Sequence, residues 1–442
     1  MHVSLIIHHA RQLLTVAAPP GGGPRRGAQM ADIGLIENGA LAIQGEMIAA
    51  VGVTAQIMAD YSADEMVDAS DCVVLPGFVD PHTHVVWAGD RAAEFDLRIA
   101  GASYMDIMQA GGGIASTVKA TRAASIEELV AQTRRRLDRM LAHGTTTAEA
   151  KTGYGLNLDD ELKMLDAIRI LDEDHALDLT PTFLGAHATP PEFNGRTDAY
   201  VDFLVGEVIP AVADLHYQVV LHPTAGGPSF TTYAPAARFC DVFCEQGVFD
   251  LAQSERILTA AAAAGMALKL HVDEFAPLGG TPLAVRLGAT SVDHLVSTPP
   301  EHLALLAASN TIGVALPGTP FGLGQHEFTP ARRLIELGGA LALATDLNPG
   351  TCWCESMQFI IALACRFMRL TPAEAICAAT LNASHAIGLG HRVGSLEAGK
   401  QADVLLLDAP DYRHLGYRFG GNLVRQVIKK GRREQYQCQN ES

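Results

Sequence analysis

Between Val73 and Ala344 the chain alternates short apolar runs with segments of helical periodicity, eight times over. The runs are Val73 to Val79, Thr145 to Glu149, Thr180 to Leu184, Asp241 to Cys244, Ala267 to Leu270, Ser291 to Val292, Ile312 to Leu316 and Leu341 to Ala344. Helical spacing falls between them, clearest over Ser125 to His143, where Ile126, Leu129, Val130, Leu137, Met140 and Leu141 line one face. Ser125 with Glu128 reads as a capping box, and Gly144 closes the same segment. Asp160 to Leu171, Ala252 to Gly265, Pro300 to Ala308 and Pro330 to Leu337 read as further helices. Eight strand–helix units predict an α/β fold, a TIM-type (β/α)8 barrel.

The two ends of the chain have a different texture. Ile33 to Val53 alternates apolar stretches with Glu-Asn-Gly and Gln-Gly turn signals, a hairpin pattern. Val393 to Asp408 and Leu423 to Lys429 also read as strands with turns, and Pro19 to Gly27 as an exposed loop. Residues 1–75 and 391–442 are expected to combine into one small β-sandwich domain beside a barrel spanning 76–390. Tyr217 to Phe239 has little helical pattern and reads as an insertion in a loop, without an assigned role.

Chemistry collects where the apolar runs end. The first closes on Pro76-Gly-Phe-Val-Asp-Pro-His82-Thr-His84. On an extended strand, residues i and i+2 face the same side, so His82 and His84 can address one metal ion. The fifth closes on His271-Val-Asp-Glu274, the sixth on Asp293-His294, the eighth on Asp346. In a parallel barrel those positions share the C-terminal rim. His82, His84, His271 and Asp346 are the expected ligands of one divalent metal, with zinc, iron or manganese compatible with imidazole and carboxylate donors. Such an ion yields a nucleophilic water near neutral pH. Glu274 is expected as a general acid/base, with an ion pair or a helix cap as the other reading. His294 is expected to stabilise an oxyanion or to help deprotonate water, with a plain polar strand end as the other reading. Asp346 can both bind metal and accept a proton. Lys151 raises a two-metal reading through a carboxylated lysine, but the fourth strand ends on Glu245, which favours one metal.

Composition removes several function classes. The formal charge is −17, from 32 basic and 49 acidic residues, which excludes a phosphate-backbone partner for want of a basic face. Arg134 to Arg136 and Lys429 to Arg433 read as a solvated helix face and a terminal tail. No apolar run is long enough to span a bilayer, and Met1 to His9 lacks the pattern of a signal peptide, so a cytoplasmic protein without membrane partners is expected. Eight cysteines without zinc-finger spacing read as reduced thiols.

Across most of its length the chain resembles the amidohydrolase superfamily. The blocks that carry the resemblance are Pro76 to His84, Ala88-Gly-Asp-Arg91, Gly111-Gly-Gly-Ile-Ala-Ser-Thr-Val118, Lys151-Thr-Gly-Tyr-Gly155, Phe183-Leu-Gly-Ala-His-Ala188, Asp241-Val-Phe-Cys-Glu245, Lys269 to Glu274, Leu316-Pro-Gly-Thr-Pro-Phe321 and Ala344-Thr-Asp-Leu-Asn-Pro-Gly-Thr351. His-x-His marks only the superfamily; the Lys-Thr-Gly-Tyr-Gly, Gly-Ala-His-Ala and Asp-Leu-Asn-Pro-Gly-Thr blocks are more specific. They are most similar to the members that open the ring of 4-imidazolone-5-propanoate to N-formimidoyl-L-glutamate in histidine degradation. The resemblance implies that reaction, one zinc or iron ion per chain, a homodimer, and a small anionic substrate. An anion bound by an acidic protein needs a local cation, and Arg91 is placed to supply it, with a surface ion pair to Asp90 or Glu94 as the other reading. Tyr154 and His187, with Tyr104 as a weaker candidate, complete the expected carboxylate pocket. Asn348, Gly350 and Thr351 are expected to hold the ring and Glu274 to contact its nitrogen. Gly111 to Gly113 is expected to let a loop close over the site. A cytosine- or guanine-type deaminase of the same superfamily is the competing expectation. Tyr217 to Phe239 and Cys352-Trp-Cys354 depart from the family pattern.

Overall fold

The computed structural model describes residues 1–101, 112–221 and 230–434. The expected roles of Tyr104, and of Gly111 in the glycine run, lie outside the described residues.

Eight parallel strands form the barrel, in chain order Phe78–Asp80, Thr145–Lys151, Asp178–Ala186, Phe239–Cys244, Ala267–Val272, Ser291–His294, Ile312–Ala315 and Leu341–Leu343. Each pairs in parallel with the next. The last meets the first through a parallel bridge between Thr83 and Leu347 and through hydrogen bonds from His84 N to Leu347 O at 2.9 Å and from Asp346 N to His82 O at 3.1 Å. The TIM-type barrel expected from the eight units is therefore present. The helix Ile126–Ala142 carries the anticipated Ser125–Glu128 capping box.

A second eight-stranded sheet draws His2–Leu14, Leu35–Gln44, Met47–Val53, Ser62–Asp68 and Val73–Pro76 from the front of the chain, and Val404–Leu407, Val424–Lys429 and Arg432–Arg433 from its end. Leu5, Ile7, Leu13, Leu41, Ile43, Val404 and Leu406 pack into one buried cluster, and Val3, Ile6, Ala40, Ala42 and Ile57 into another. The small β-sandwich domain built from both ends is thus observed.

Three expectations change in detail. The run Val73 to Val79 is two strands: Val73–Pro76 joins the small sheet, antiparallel to Val404–Leu407, and only Phe78–Asp80 enters the barrel. Gly77 makes the switch because a Cβ there would lie 2.2 Å from Thr146 Oγ1, closer than any side chain tolerates. The segment read as a loop insertion forms an antiparallel ribbon, His216–Leu221 paired with Phe230–Pro235. The basic clusters are not simply solvated. Arg136 is 4% exposed, lies 3.4 Å from the Trp87 ring centroid, and donates to Val85 O and Trp87 O at 2.9 and 3.0 Å. Lys429 is buried between Asp178 and Asp403, at 2.8 Å from each. Both lysine and arginine heads went inside because carboxylates, carbonyls or an aromatic face replace the water they lose.

Candidate metal centre and its pocket

The rim gathers the residues that the strand ends offered. His82 Nε2 and His84 Nε2 lie 3.6 and 3.5 Å from Asp346 Oδ1, and His271 Nε2 lies 3.4 Å from His84 Nε2. His294 stands beside them, its ring centroid 5.3 Å from that of His271 and 5.5 Å from that of His82. Asp346 and His294 take up φ values of 55° and 76°, strained for non-glycine residues. His82 Nε2 is buried without a hydrogen-bond partner among the described residues. Burial first, then Lys151 and the crowding of the imidazoles on one another, holds His82 and His84 well below the usual histidine range, so both are neutral and keep the lone pairs that a metal needs. Donor type, burial and the orphaned nitrogen all fit a divalent ion held by His82, His84, His271 and Asp346.

Beneath this set lies a buried layer of charge. His82 Nδ1 is 2.6 Å from Asp293 Oδ2, and His271 Nδ1 is 3.0 Å from Asp241 Oδ2. Carboxylates placed behind imidazoles in this way fix which ring nitrogen is free to meet an ion. Lys151 Nζ bonds Asp241 Oδ2 at 2.6 Å and Glu149 Oε2 at 2.9 Å; Lys269 Nζ reaches Glu149 Oε2 at 2.8 Å. Burial opposes charge on Lys151, but Asp241, Glu149 and Asp293 together raise its pKa above the usual lysine value. Its ammonium is therefore committed to these carboxylates, which supports one metal over a bridged pair. Asp241, Asp293, Glu149 and Lys269 were not assigned roles from sequence. Their signal was a charged residue inside a barrel-strand segment, where side chains face a buried interior.

Asp346 and Glu274 carry perturbed carboxyls. Burial pushes Asp346 up to about 6, against the hydrogen bond from the Thr319 hydroxyl. Burial, then the Asp346 and Glu245 charges, raises Glu274 well above the carboxylate range. Its carboxyl lies 3.6 Å from His294 Nε2. A carboxyl kept protonated beside a metal rim is suited to giving a proton.

The residues expected to bind a carboxylate are less uniformly placed. His187 stacks on His84 with centroids 4.8 Å apart, and its Nδ1 donates to Gly153 O at 3.0 Å. Burial holds its pKa down to about 3. Tyr154 sits 5.3 Å from His187 by ring centroids, and burial raises its hydroxyl pKa, so it remains a neutral donor. Arg91 lies directly over Gly350, where a Cβ would come within 2.2 Å of its Nη1. Its Nε donates to Glu94 Oε2 at 2.8 Å. Glu94, only 8% exposed, also accepts from Gly113 N and Ser116 Oγ through Oε1, each at 3.0 Å. Glu94 thus aims Arg91, a role that the sequence had left as a surface pair. Arg98 adds a second cation nearby, donating to Gly350 O at 2.9 Å.

Asn348 sits at the rim, but its side chain is used within its own turn. Its Oδ1 accepts from Gly350 N and Thr351 N, both at 2.8 Å, and its Nδ2 donates to Asp346 O at 2.7 Å. It therefore shapes the loop that carries Gly350 and Thr351. In the departing Cys352-Trp-Cys354 block, Trp353 packs edge-on against Trp87 with centroids 5.0 Å apart. The seven described cysteines are free thiols.

Residues 73–433 match the model of the amidohydrolase family. An imidazolonepropionase of Herpetosiphon aurantiacus is 57% identical over 427 residues, covering 96% of this chain and 97% of that protein. The chain belongs to the amidohydrolase family, on its imidazolonepropionase branch. An imidazolonepropionase of Chloroflexus aggregans is 49% identical, with 97% of each chain covered. Among solved structures, an adenosine deaminase from Xanthomonas campestris with bound zinc has a TM-score of 0.68 at 21% identity, covering 98% of this chain and 93% of that one. Guanine deaminase of Escherichia coli has a TM-score of 0.69 at 13% identity, covering 99% and 100%. These distant likenesses show the fold. Among the described residues no helix is long and apolar enough to cross a membrane.

Proposed function

We infer that this chain is an imidazolonepropionase, a hydrolase that opens the ring of 4-imidazolone-5-propanoate to N-formimidoyl-L-glutamate. The observation that carries the reading is near full-length identity to proteins of that name. His82, His84, His271 and Asp346 would hold a single zinc or iron ion, which would supply an acidified water and polarise the ring carbonyl.

The remaining work falls to side chains. Asp346 takes the proton of the attacking water; its other carboxylate oxygen is held by Thr319. His294 stabilises charge developing on the carbonyl oxygen. Protonated Glu274 gives its proton to the ring nitrogen as the carbon–nitrogen bond breaks. Arg91 and Tyr154 donate to the propanoate carboxylate; His187 joins them once that anion favours protonation of its free Nε2. Gly350 and Thr351 border the ring on the loop that Asn348 shapes. The same reading carries a homodimer in the cytoplasm.

Product analysis tests the assignment. N-formimidoyl-L-glutamate formed without ammonia release from guanine or cytosine is the expected result. Ammonia from either base, with the imidazolone left intact, would make the chain a deaminase.

Arg91→Ala is expected to raise KM at least tenfold, about 1.4 kcal/mol of binding, with a small change in kcat, because the lost contact is remote from the reacting bond. Glu94→Gln should raise KM in the same direction by less, since Arg91 stays but loses its anchor. Steady-state kinetics on both variants checks this. A KM unchanged in Arg91→Ala places the carboxylate elsewhere.

A further inference from the structure

On a regular strand, consecutive side chains point to opposite faces. The strand His2–Leu14 breaks that rule at one point. Its pairing with Leu35–Gln44 runs Ile7 to Leu41 and then Ala10 to Gly39, so His8 and His9 together fill the place opposite Ala40. This is a β-bulge, a device that re-aims side chains. His9 takes a φ of 56°, and its N–H donates to Thr54 Oγ1 at 3.0 Å. Thr54 Oγ1 in turn donates to Asn38 O at 2.8 Å, which fixes the bulge from the neighbouring helix Thr54–Asp60.

The result is two imidazoles on one side of the strand. His8 Nδ1 and His9 Nδ1 lie 2.6 Å apart, with ring centroids at 4.7 Å. On the other edge, His8 is in parallel register with Asp68 of the strand Ser62–Asp68. A carboxylate oxygen of Asp68 and one nitrogen from each histidine all fall within 4.8 Å of one another. Hydrogen bonds from Ser70 lower the Asp68 pKa, so this carboxylate is ionised at neutral pH.

We propose that His8, His9 and Asp68 form a second metal site, on the small β domain, for a divalent ion of zinc type. The Nδ1 atoms of His8 and His9 form one hydrogen bond, in which the N–H of one ring meets the lone pair of the other. An ion in its place uses both lone pairs, with each ring carrying its hydrogen on Nε2. Two imidazoles and a carboxylate select zinc, cobalt or nickel over calcium or magnesium, which prefer all-oxygen shells. Three protein donors at an exposed edge leave the remaining positions to water. The strands that build this site supply none of the rim residues, so it is separate from the catalytic centre.

The test uses untagged enzyme with its catalytic centre already filled with zinc. Equilibrium dialysis against micromolar zinc, followed by metal analysis, should find one zinc ion per chain more in the wild type than in His9→Ala or Asp68→Asn. Ring-opening turnover should be the same in all three, because none of these residues lies at the rim. Added zinc should also raise the thermal midpoint of the wild type and leave that of His9→Ala unmoved. Equal zinc content in the wild type and both variants would overturn the proposal.

Discussion

Glu274→Gln is expected to lower kcat by about 10²- to 10⁴-fold, the usual weight of a positioned proton donor. Bound metal should stay at the wild-type level, and KM should change little. Glu274 is held protonated by burial and by the nearby carboxylates Asp346 and Glu245. It lies next to His294, outside the cluster formed by His82, His84 and Asp346. Glutamine matches its shape and keeps a hydrogen-bond donor, but has no proton to give to the departing nitrogen. Loss of kcat with KM retained is therefore the signature of a step removed at the transition state. Metal analysis on the same sample separates this from a disturbed metal centre. A nearly wild-type kcat would remove Glu274 from proton transfer.

Lys151→Met should cost stability as well as activity. The lysine is fully buried and lies 2.6 Å from Asp241 Oδ2, 2.9 Å from Glu149 Oε2 and 3.9 Å from Asp293 Oδ2. Methionine fills similar space without charge. Glu149 and Asp293 would then share the single ammonium of Lys269, at 2.8 and 3.7 Å, and Asp241 would keep only His271 Nδ1 at 3.0 Å. Removing one partner from a buried pair typically costs about 3–5 kcal/mol, because the other charge is left without compensation. Metal affinity should fall too, since Asp241 and Asp293 orient His271 and His82. Second-layer changes of this kind typically cost about 10- to 100-fold in affinity. Denaturant unfolding of the metal-loaded protein should show a lower midpoint with the slope unchanged. An unchanged midpoint would mean that water or a shifted proton balances these carboxylates.

The barrel was legible in the sequence because each of its strands is a local apolar run, and each helix repeats its apolar positions at a regular interval. The convergence of His82, His84, His271, His294 and Asp346 was legible for a related reason. A parallel barrel brings all strand ends to one rim, so position along the chain stands in for position in space. What escaped were effects of side chains meeting across strands. Asp241 and Lys151 are 90 residues apart in sequence and 2.6 Å apart in the fold. Glu94 read as a partner for Arg91 at the surface, and only the fold shows Gly113 and Ser116 burying it. Asn348 looked free to hold a ligand, yet its amide is consumed by its own turn. The boundary between the sheets was missed because apolar residues stand on both sides of Pro76-Gly77 and read as one run.

The most direct measurement is turnover of freshly prepared 4-imidazolone-5-propanoate, followed by its ultraviolet absorbance, with metal content determined on the same sample and again after chelation. The account predicts decay well above the spontaneous rate, N-formimidoyl-L-glutamate as product, about one catalytic metal per chain once the His8–His9 site is stripped or mutated, and loss of turnover when that metal is removed. A metal-loaded protein that leaves this substrate at its spontaneous rate of decay would contradict it.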